Sequence, residues 1–556
     1  MSPAAASDQA SSHAGDGAAG ASPWIPLRRP IFRAIWIASL ASNLGTWMHI
    51  VAASWLMTSL TASAALVALV QTASALPAFA LALPAGALAD VLDRRRMIMF
   101  TQAWQLVVAA SLGAITLAGG ATPGLLLAIT LALGVGAALG VPVFSAITAE
   151  IVPRPELPAA ISLNSAAFTL AQALGPAIGG LLVAAAGAGA VFLLNAVSFL
   201  AVVTVVAAWR RAPRVSTVPP EHVVGAIRVG VQYVRHARPL RRVLLRLGTH
   251  VFFFSAFPAL LVVVARTRLD LGAAGYGALF GCFGVGGATG AFLLPWMRTR
   301  LSTDRLVTLA ATTFAIAITV LATVREVAVL LPTMVVAGVG SMVVISSLSI
   351  AAQSVLPGWV RGRGLAVYML TFQAGMAGGA ALWGTLAANA GVSAALLVAA
   401  GGMVTLHLVS GLAGLRLAVA DEVDVTPAHW TEPQFALEPE HGEGPILIEI
   451  VYRIAGDDTP AFLAAMRDVR RTRRRDGAMQ WSLYQDLSDP ERHVETFLVA
   501  SWAEHERQAE RAVKSDRAAI ERVLALQRGD GPHVAHFLRH QLPRGPKSRR
   551  PDADAG

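Results

Sequence analysis

From Ile31 to about Ala420, apolar stretches of roughly 20 residues follow one another with only short polar breaks. A helix of about 20 apolar residues matches the roughly 30 Å hydrocarbon core of a bilayer. Soluble domains carry about 25% charged residues, whereas this chain carries 14%, and the deficit lies in this region. The stretches read as spans at 31–57, 63–89, 97–118, 123–149, 158–187 and 190–208, then 243–265, 273–297, 305–324, 327–355, 364–388 and 391–416. The long break at 209–242 divides them six and six. The expected fold is an all-α polytopic membrane protein of twelve transmembrane helices in two six-helix halves, residues 24–208 and 243–420.

A net charge of +10 invites a nucleic-acid reading, which the placement of the charges excludes. With the N-terminus in the cytoplasm, 22 arginines of the membrane region fall on inner segments. Among them are Arg28, Arg29 and Arg33, Arg94 to Arg96, and a dense group between Arg210 and Arg246. The outer loops hold Arg266, Arg268 and Arg325 alone. Such a bias sets orientation, so both termini are expected in the cytoplasm of a bacterial cell, with the chain crossing the cytoplasmic membrane. One cysteine, Cys282, cannot form an intrachain disulfide. Residues 1–23 are rich in Ala, Ser and Gly. They lack the basic start and apolar centre of a signal peptide, so disorder without cleavage is expected.

Past residue 420 the composition becomes that of a soluble domain. A linker at 421–445 carries Pro427, Pro433, Pro439 and Pro445. Ile446, Ile448, Ile450, Tyr452 and Ile454 then alternate as a strand. A helix starts at Thr459-Pro460, strands follow near 479–487 and 493–502, a charged helix spans about 503–527, and a last strand lies near 533–538. The order β-α-β-β-α-β is that of a small α+β ferredoxin-like domain over 446–540, followed by a tail expected to be disordered at 541–556. His505, His533, His536 and His540 are scattered in the sequence and lack metal-ligand spacing, so they read as surface residues. No cofactor is expected.

The strongest local signal joins spans two and three: Gly86-Ala87-Leu88-Ala89-Asp90-Val91-Leu92-Asp93-Arg94-Arg95-Arg96. Gly86 permits close helix approach, and Asp90 at a span end is costly unless paired. The stretch resembles the loop signature of the major facilitator superfamily, Gly-x-Leu-Ala-Asp-x-x-x-Arg-Arg/Lys. The resemblance implies a conformational gate at Gly86, Asp90, Arg94 and Arg95. Span five carries Gly175-Pro176-Ala177-Ile178-Gly179-Gly180, which looks like the packing motif of drug/proton antiporters. Residues 157–182, 225–234, 359–366 and 494–505 resemble the transmembrane secretion effector and enterobactin-exporter-like branch. That resemblance covers about 24–540 and implies an efflux pump for a siderophore or another small molecule, driven by the proton gradient. The C-terminal domain resembles the antibiotic-biosynthesis-monooxygenase-like dimeric α/β barrels, which implies dimerisation. Two departures stand out: span four has no arginine, and Leu294 stands in the second half where the first has Asp90.

Polar residues within spans are candidates for the transport path, because bare polar groups facing lipid are costly. They are Asn43, His49, Gln71, Gln102, Gln105, Asn164, Gln172, Asn195, His250, Gln353 and Gln373, with His407 beside them. Glu150, at the inner end of span four, is a candidate proton carrier, and the histidines are its rivals. The expected partners are a small-molecule substrate, the bilayer and protons. Two other functions fit the same sequence: an importer of this fold, and a membrane-anchored enzyme or sensor acting through the C-terminal domain.

Overall fold

The computed structural model describes residues 24–209, 237–356, 360–412, 417, 443–502, 504–505, 514–529 and 531–539. The expected terminal tails, most of the central loop and the proline-rich linker lie outside the described residues, as does His540. The described chain separates into a helical bundle and a C-terminal α+β unit.

The bundle runs α1 (Pro30–Leu60), α2 (Ala64–Val91), α3 (Arg94–Leu117), α4 (Pro123–Ile151) and α5 (Leu157–Ala208). It continues with α6 (Arg238–Phe254), α7 (Ala256–Thr267), α8 (Ala273–Arg300), α9 (Thr303–Thr323), α10 (Val327–Ser354), α11 (Arg361–Ala390) and α12 (Val392–Leu412). Local chemistry sets many of the starts. Pro30 and Pro123 occupy first turns, where a missing N–H costs nothing. Ser63, Asp93 and Thr122 cap α2, α3 and α4 by accepting from backbone N–H groups three residues on.

Among the described residues, ten helical segments are long and apolar enough to cross a bilayer. One of them, α5, is 52 residues long and breaks at Gly187, whose φ of 79° favours glycine. The break is a reversal. A straight helix would set residues 175 and 195 about 30 Å apart. Yet Gly175 packs on Leu44 and Trp47 while Asn195 packs on Gly45, all on α1. The two spans expected at 158–187 and 190–208 are therefore the antiparallel arms of α5, joined without a loop. The span expected at 243–265 lies within the single apolar segment Pro239–Thr267, inside which α6 and α7 meet at Ser255. Pro258, with no N–H to offer Phe254, explains the interrupted ladder.

Contact between the halves is built on small residues. A Cβ added to Gly277 of α8 would lie 2.8 Å from Gly180 Cα and from Pro176 O of α5. The close approach continues one turn on at Ala177 and Gly281, and again at Ala173 and Gly284. On the second seam Gly384 of α11 sits against Ala68 of α2, and Thr72 Oγ1 donates to Ala377 O at 3.0 Å.

In the C-terminal unit β1 (Ile446–Arg453), α13 (Thr459–Arg475), β2 (Gln480–Gln485), β3 (Arg492–Val499), α14 (Lys514–Leu524) and β4 (His533–Leu538) form an antiparallel sheet in the order β2-β3-β1-β4. This is the ferredoxin-like arrangement. Ile446, Ile448, Ile450 and Tyr452 face Phe462, Met466, Val469 and Val523, as the alternation requires. Glu495 is fully buried in this core. Its carboxylate accepts from Tyr452 Oη and Trp481 Nε1, both at 2.8 Å, and from Arg473 Nε at 3.4 Å. His505 is buried and its Nε2 lies 3.0 Å from His536 Nε2. The sequence reading of scattered surface histidines is corrected here: the end of β3 and strand β4 bring these two together.

Two outcomes follow from this packing. Gly277→Leu must push backbone from backbone, and overpacking of this kind costs about 1–3 kcal/mol. Its melting temperature should fall by several degrees, whereas Gly287→Leu, with no atom within 4 Å of the added Cβ, should melt like the parent. In the C-terminal unit, burial lowers the pKa of His536 from its ordinary 6.5. The folded state then binds fewer protons than the unfolded one. This contribution to stability is present above pH 6.5 and is lost as pH falls below it. The urea midpoint of fragment 440–545 should therefore drop between pH 7.5 and 5.5, and His536→Gln should flatten that slope.

Candidate functional site

The loop after α2 and the two inter-half seams are the parts of the bundle that can change partners. Gly86 lies in the penultimate turn of α2, and a Cβ there meets no atom within 4 Å. Asp90 is in the last turn of α2; its side chain lies outside the described residues. Arg94 donates from Nη1 to Glu150 Oε1 of α4 at 2.5 Å. Arg95 donates to the carbonyls of Val206 and Ala207, the last turn of α5, where a helix exposes unpaired acceptors and the negative end of its dipole. The basic loop thus ties the α2–α3 corner to the ends of α4 and α5. Glu150, read as a candidate proton carrier, is held in this ion pair. A second pair joins segments of the first half at the same end of the bundle. Arg29 donates from Nε and Nη2 to Glu156 at 2.9 and 2.8 Å. That hydrogen bonding holds the Glu156 carboxyl below its usual range and raises Arg29.

The span-five motif presents two faces. Gly175 and Gly179 pack on Trp47 and Met48 of α1, and Gly180 packs on α8, with Pro176 O beside Gly277. A single stretch therefore joins α1 and α8 through α5, which accounts for small residues on both sides of Pro176.

The polar candidates do not converge on one cluster. His49 is buried in the first half against the Phe192 ring of α5, with centroids 4.7 Å apart. Gln102 donates to Gln105 at 3.0 Å, and both are buried. Asn164 donates to Thr148 of α4 at 3.2 Å. Asn195 fills the space over Gly45. Gln353 is exposed and bonds Ser349 on its own helix. The contacts recorded for these residues lie within one half of the bundle. Gln71, Gln172 and Gln373 are placed differently. All three are half-buried. Gln71 and Gln172 adjoin Thr72 and Ala173 of the seams, and Gln373 is one turn from Ala377. Asn43 is half-buried on α1, next to Leu44. His250 pairs with His407 across α6 and α12.

One site residue escaped the sequence reading. Arg266, at the end of α7, donates to Thr58 Oγ1 of α1 at 2.9 Å and lies 5.3 Å over the Trp55 ring. Trp55 in turn stacks on Tyr276 of α8. This contact latches the halves at the end where Gly180 meets Gly277. A cation over an aromatic face is worth about 0.5–2 kcal/mol, depending on desolvation. The available signal was that Arg266 stands on the arginine-poor side, against the bias.

Among the described residues, no group of three or more His, Cys, Asp or Glu is arranged to hold a metal ion.

Comparison with known proteins identifies the lineage. The transmembrane secretion effector family matches residues 21–543. The Staphyloferrin A transporter of Staphylococcus aureus (strain NCTC 8325 / PS 47) is 27% identical over 157 residues, or 28% of this chain. The match spans 40% of that relative's length. Among solved structures, a bacterial homologue of the human lysosomal transporter Spinster, inward-facing and occupied, superposes with a TM-score of 0.54 at 14% identity. It covers 71% of this chain and 96% of its own. A bacterial homologue of the iron transporter ferroportin, inward-facing, gives 0.52 at 17% identity, covering 68% and 98%. The nucleoside transporter NupG gives 0.55 at 12% identity, covering 69% and 99%. These likenesses show the fold. With a family match over most of its length and a bundle of this architecture, the chain belongs to the transmembrane secretion effector family of the major facilitator superfamily.

Proposed function

We propose that this protein is a secondary active transporter that exports small organic molecules, siderophore- or drug-like, from a bacterial cytoplasm by alternating access and proton antiport. The observation that carries this reading is the asymmetry of the inter-half contact. Glycine-on-glycine packing and the Arg266 latch join the halves at one end of the bundle, while at the other end of α2 a Cβ on Gly86 meets no described atom within 4 Å. Two halves joined at one end are what a rocking mechanism needs. The arginine bias supports cytoplasmic termini, which makes the closed end the outer one. With the two arms of α5 counted separately and α1 added, the spans number twelve. Asp90 is assigned the clamp that forms when the other end closes, with Gly86 providing the close approach. Gln71, Gln172, Gln373 and Asn43, at the inner margins of the seams, line the path. The outward direction is supported by the family's secretion role, and a siderophore cargo by the staphyloferrin relative.

The test is efflux of a siderophore and dye panel in everted vesicles. Uptake into the vesicles should need the full chain and should collapse when the proton gradient is dissipated. Arg266→Ala, which removes the latch, should slow turnover at unchanged expression. Transport in the importing direction, or transport that requires sodium instead, would overturn the reading.

The C-terminal unit is assigned a dimerising role. Leu447, Val451, Val494, Leu498 and Phe537 share the sheet face opposite the helices, and Phe537 is 48% exposed. Fragment 440–545 should sediment as a dimer and Val494→Glu as a monomer; a monomeric parent fragment would sink this assignment.

A further inference from the structure

We propose that His250 and His407, with Arg246 and Asp304, form a proton-binding site buried inside the second half of the bundle. The proposal rests on the transporter reading above and locates the coupling ion within it. It replaces Glu150, whose carboxylate is engaged by Arg94.

Arg246 and His250 are four residues apart on α6 and share one face. Arg246 is 1% exposed and His250 is fully buried. From α9, Asp304 accepts from Arg246 Nη1. The same carboxylate accepts the Leu417 N–H at 3.3 and 3.2 Å. From α12, His407 places Nε2 3.3 Å from His250 Nδ1. The remaining surroundings are apolar: Phe254 of α6 and Phe314 of α9 pack on the His250 ring. On the neighbouring side α11 meets α6 at Gly248 through the Thr371 methyl. The charged and titratable groups that face the pair are thus Arg246 and Asp304.

Two features distinguish this cluster from ordinary packing. First, a buried ion pair costs several kcal/mol per ion to desolvate, and well-packed apolar residues commonly serve stability as well or better. Ionisable groups within a membrane bundle mark ion and proton pathways. Second, the cluster is incompletely satisfied. Arg246 Nε and Nη2, His250 Nε2 and His407 Nδ1 are buried with no hydrogen-bond partner among the described residues. Unmade hydrogen bonds of this kind are costly.

The geometry also supplies a route. The Asp304 side chain is 36% exposed in the first turn of α9, so the cluster runs from an accessible carboxylate to a dry imidazole pair. Neutral, the two rings carry two protons, and one of these lies in the N–H···N contact. A third proton, taken from water, is held by a free ring nitrogen and makes one ring an imidazolium. It leaves to water after the bundle has switched the side to which the site opens, and no other bond changes. On His407 the added charge stands across from the Arg246 guanidinium of α6, and repulsion favours parting α12 from α6. Protonation is thereby linked to movement of helices in this half.

The test is a pH titration of the full-length protein in nanodiscs with 15N-labelled histidine. His250→Gln and His407→Gln serve to assign the two rings, and either one suffices if the other does not fold. The expected result is a pair of imidazole signals that move together as one proton is taken up between pH 8 and 4, with the coupled movement lost in the single variants. Two rings that stay neutral throughout, or that titrate independently, would overturn the site and leave the transporter reading standing. In the vesicle assay, the same variants should lose the response to the proton gradient while retaining downhill substrate exchange. A full gradient response in either variant would likewise overturn the site. Failure of the parent protein to move any substrate strikes the transporter reading instead and leaves the titration to decide the site.

Discussion

Lipid tails are as apolar as leucine, so the helices of this bundle gain nothing by hiding greasy surface from them. Association must come from close backbone approach and from polar contacts, and the contact between halves uses both. Gly180 and Gly277 let α5 and α8 touch almost backbone to backbone. Ala177, Ala173, Gly281 and Gly284 extend that contact for two turns. Small side chains also leave such a seam few interlocking groups, so it can separate without unpicking a core. A seam of leucines would hold the halves apart or lock them together.

The ionic contacts lie where water or headgroups can reach at least one partner. Arg29–Glu156 and Arg94–Glu150 join helix ends, and each guanidinium is at least 29% exposed. Arg246–Asp304 reverses the roles, with the guanidinium sealed and the carboxylate the exposed partner. The positive-inside bias and the ion pairs are two results of one placement. In the proposed orientation, arginines kept on one side would orient the chain during insertion, and several of them fasten helix ends.

Much of the architecture was legible in the sequence because hydrocarbon thickness imposes a length on each apolar run. The ferredoxin-like unit was legible for a similar reason: Ile446, Ile448, Ile450 and Tyr452 alternate with the two-residue period of a strand. The break at Gly187 was legible too: spans were expected at 158–187 and 190–208, and the reversal falls at their junction, although no polar loop marks it. The division of α6 from α7 was carried by Pro258 alone. The site fared unevenly. The Gly175–Gly180 motif announces close packing by composition, and the structure shows what it packs against. Polar residues inside spans gave a list without a geometry. Asn164 and Asn195 meet neighbouring helices of their own half and Gln102 bonds within its own helix, and nothing in one sequence separates them from Gln172 or Gln373. Arg246 shows the limit most clearly. Counted with the basic central loop, it folds back as the least exposed arginine of the described bundle because Asp304, 58 residues away, is there to receive it.

The Gly187 reversal has a mechanical consequence. One arm of α5 forms the seam with α8, and the other packs on Gly45 of α1 and Gly113 of α3. A single residue connects them, so there is no slack to absorb a tilt. The two arms act as the jaws of a stiff clip: when the seam arm swings, its partner and the helices on it are carried along. Under the proposed rocking mechanism the first half would turn as one lever, and the give would have to be found elsewhere, in helices interrupted partway, as α6 and α7 are at Ser255.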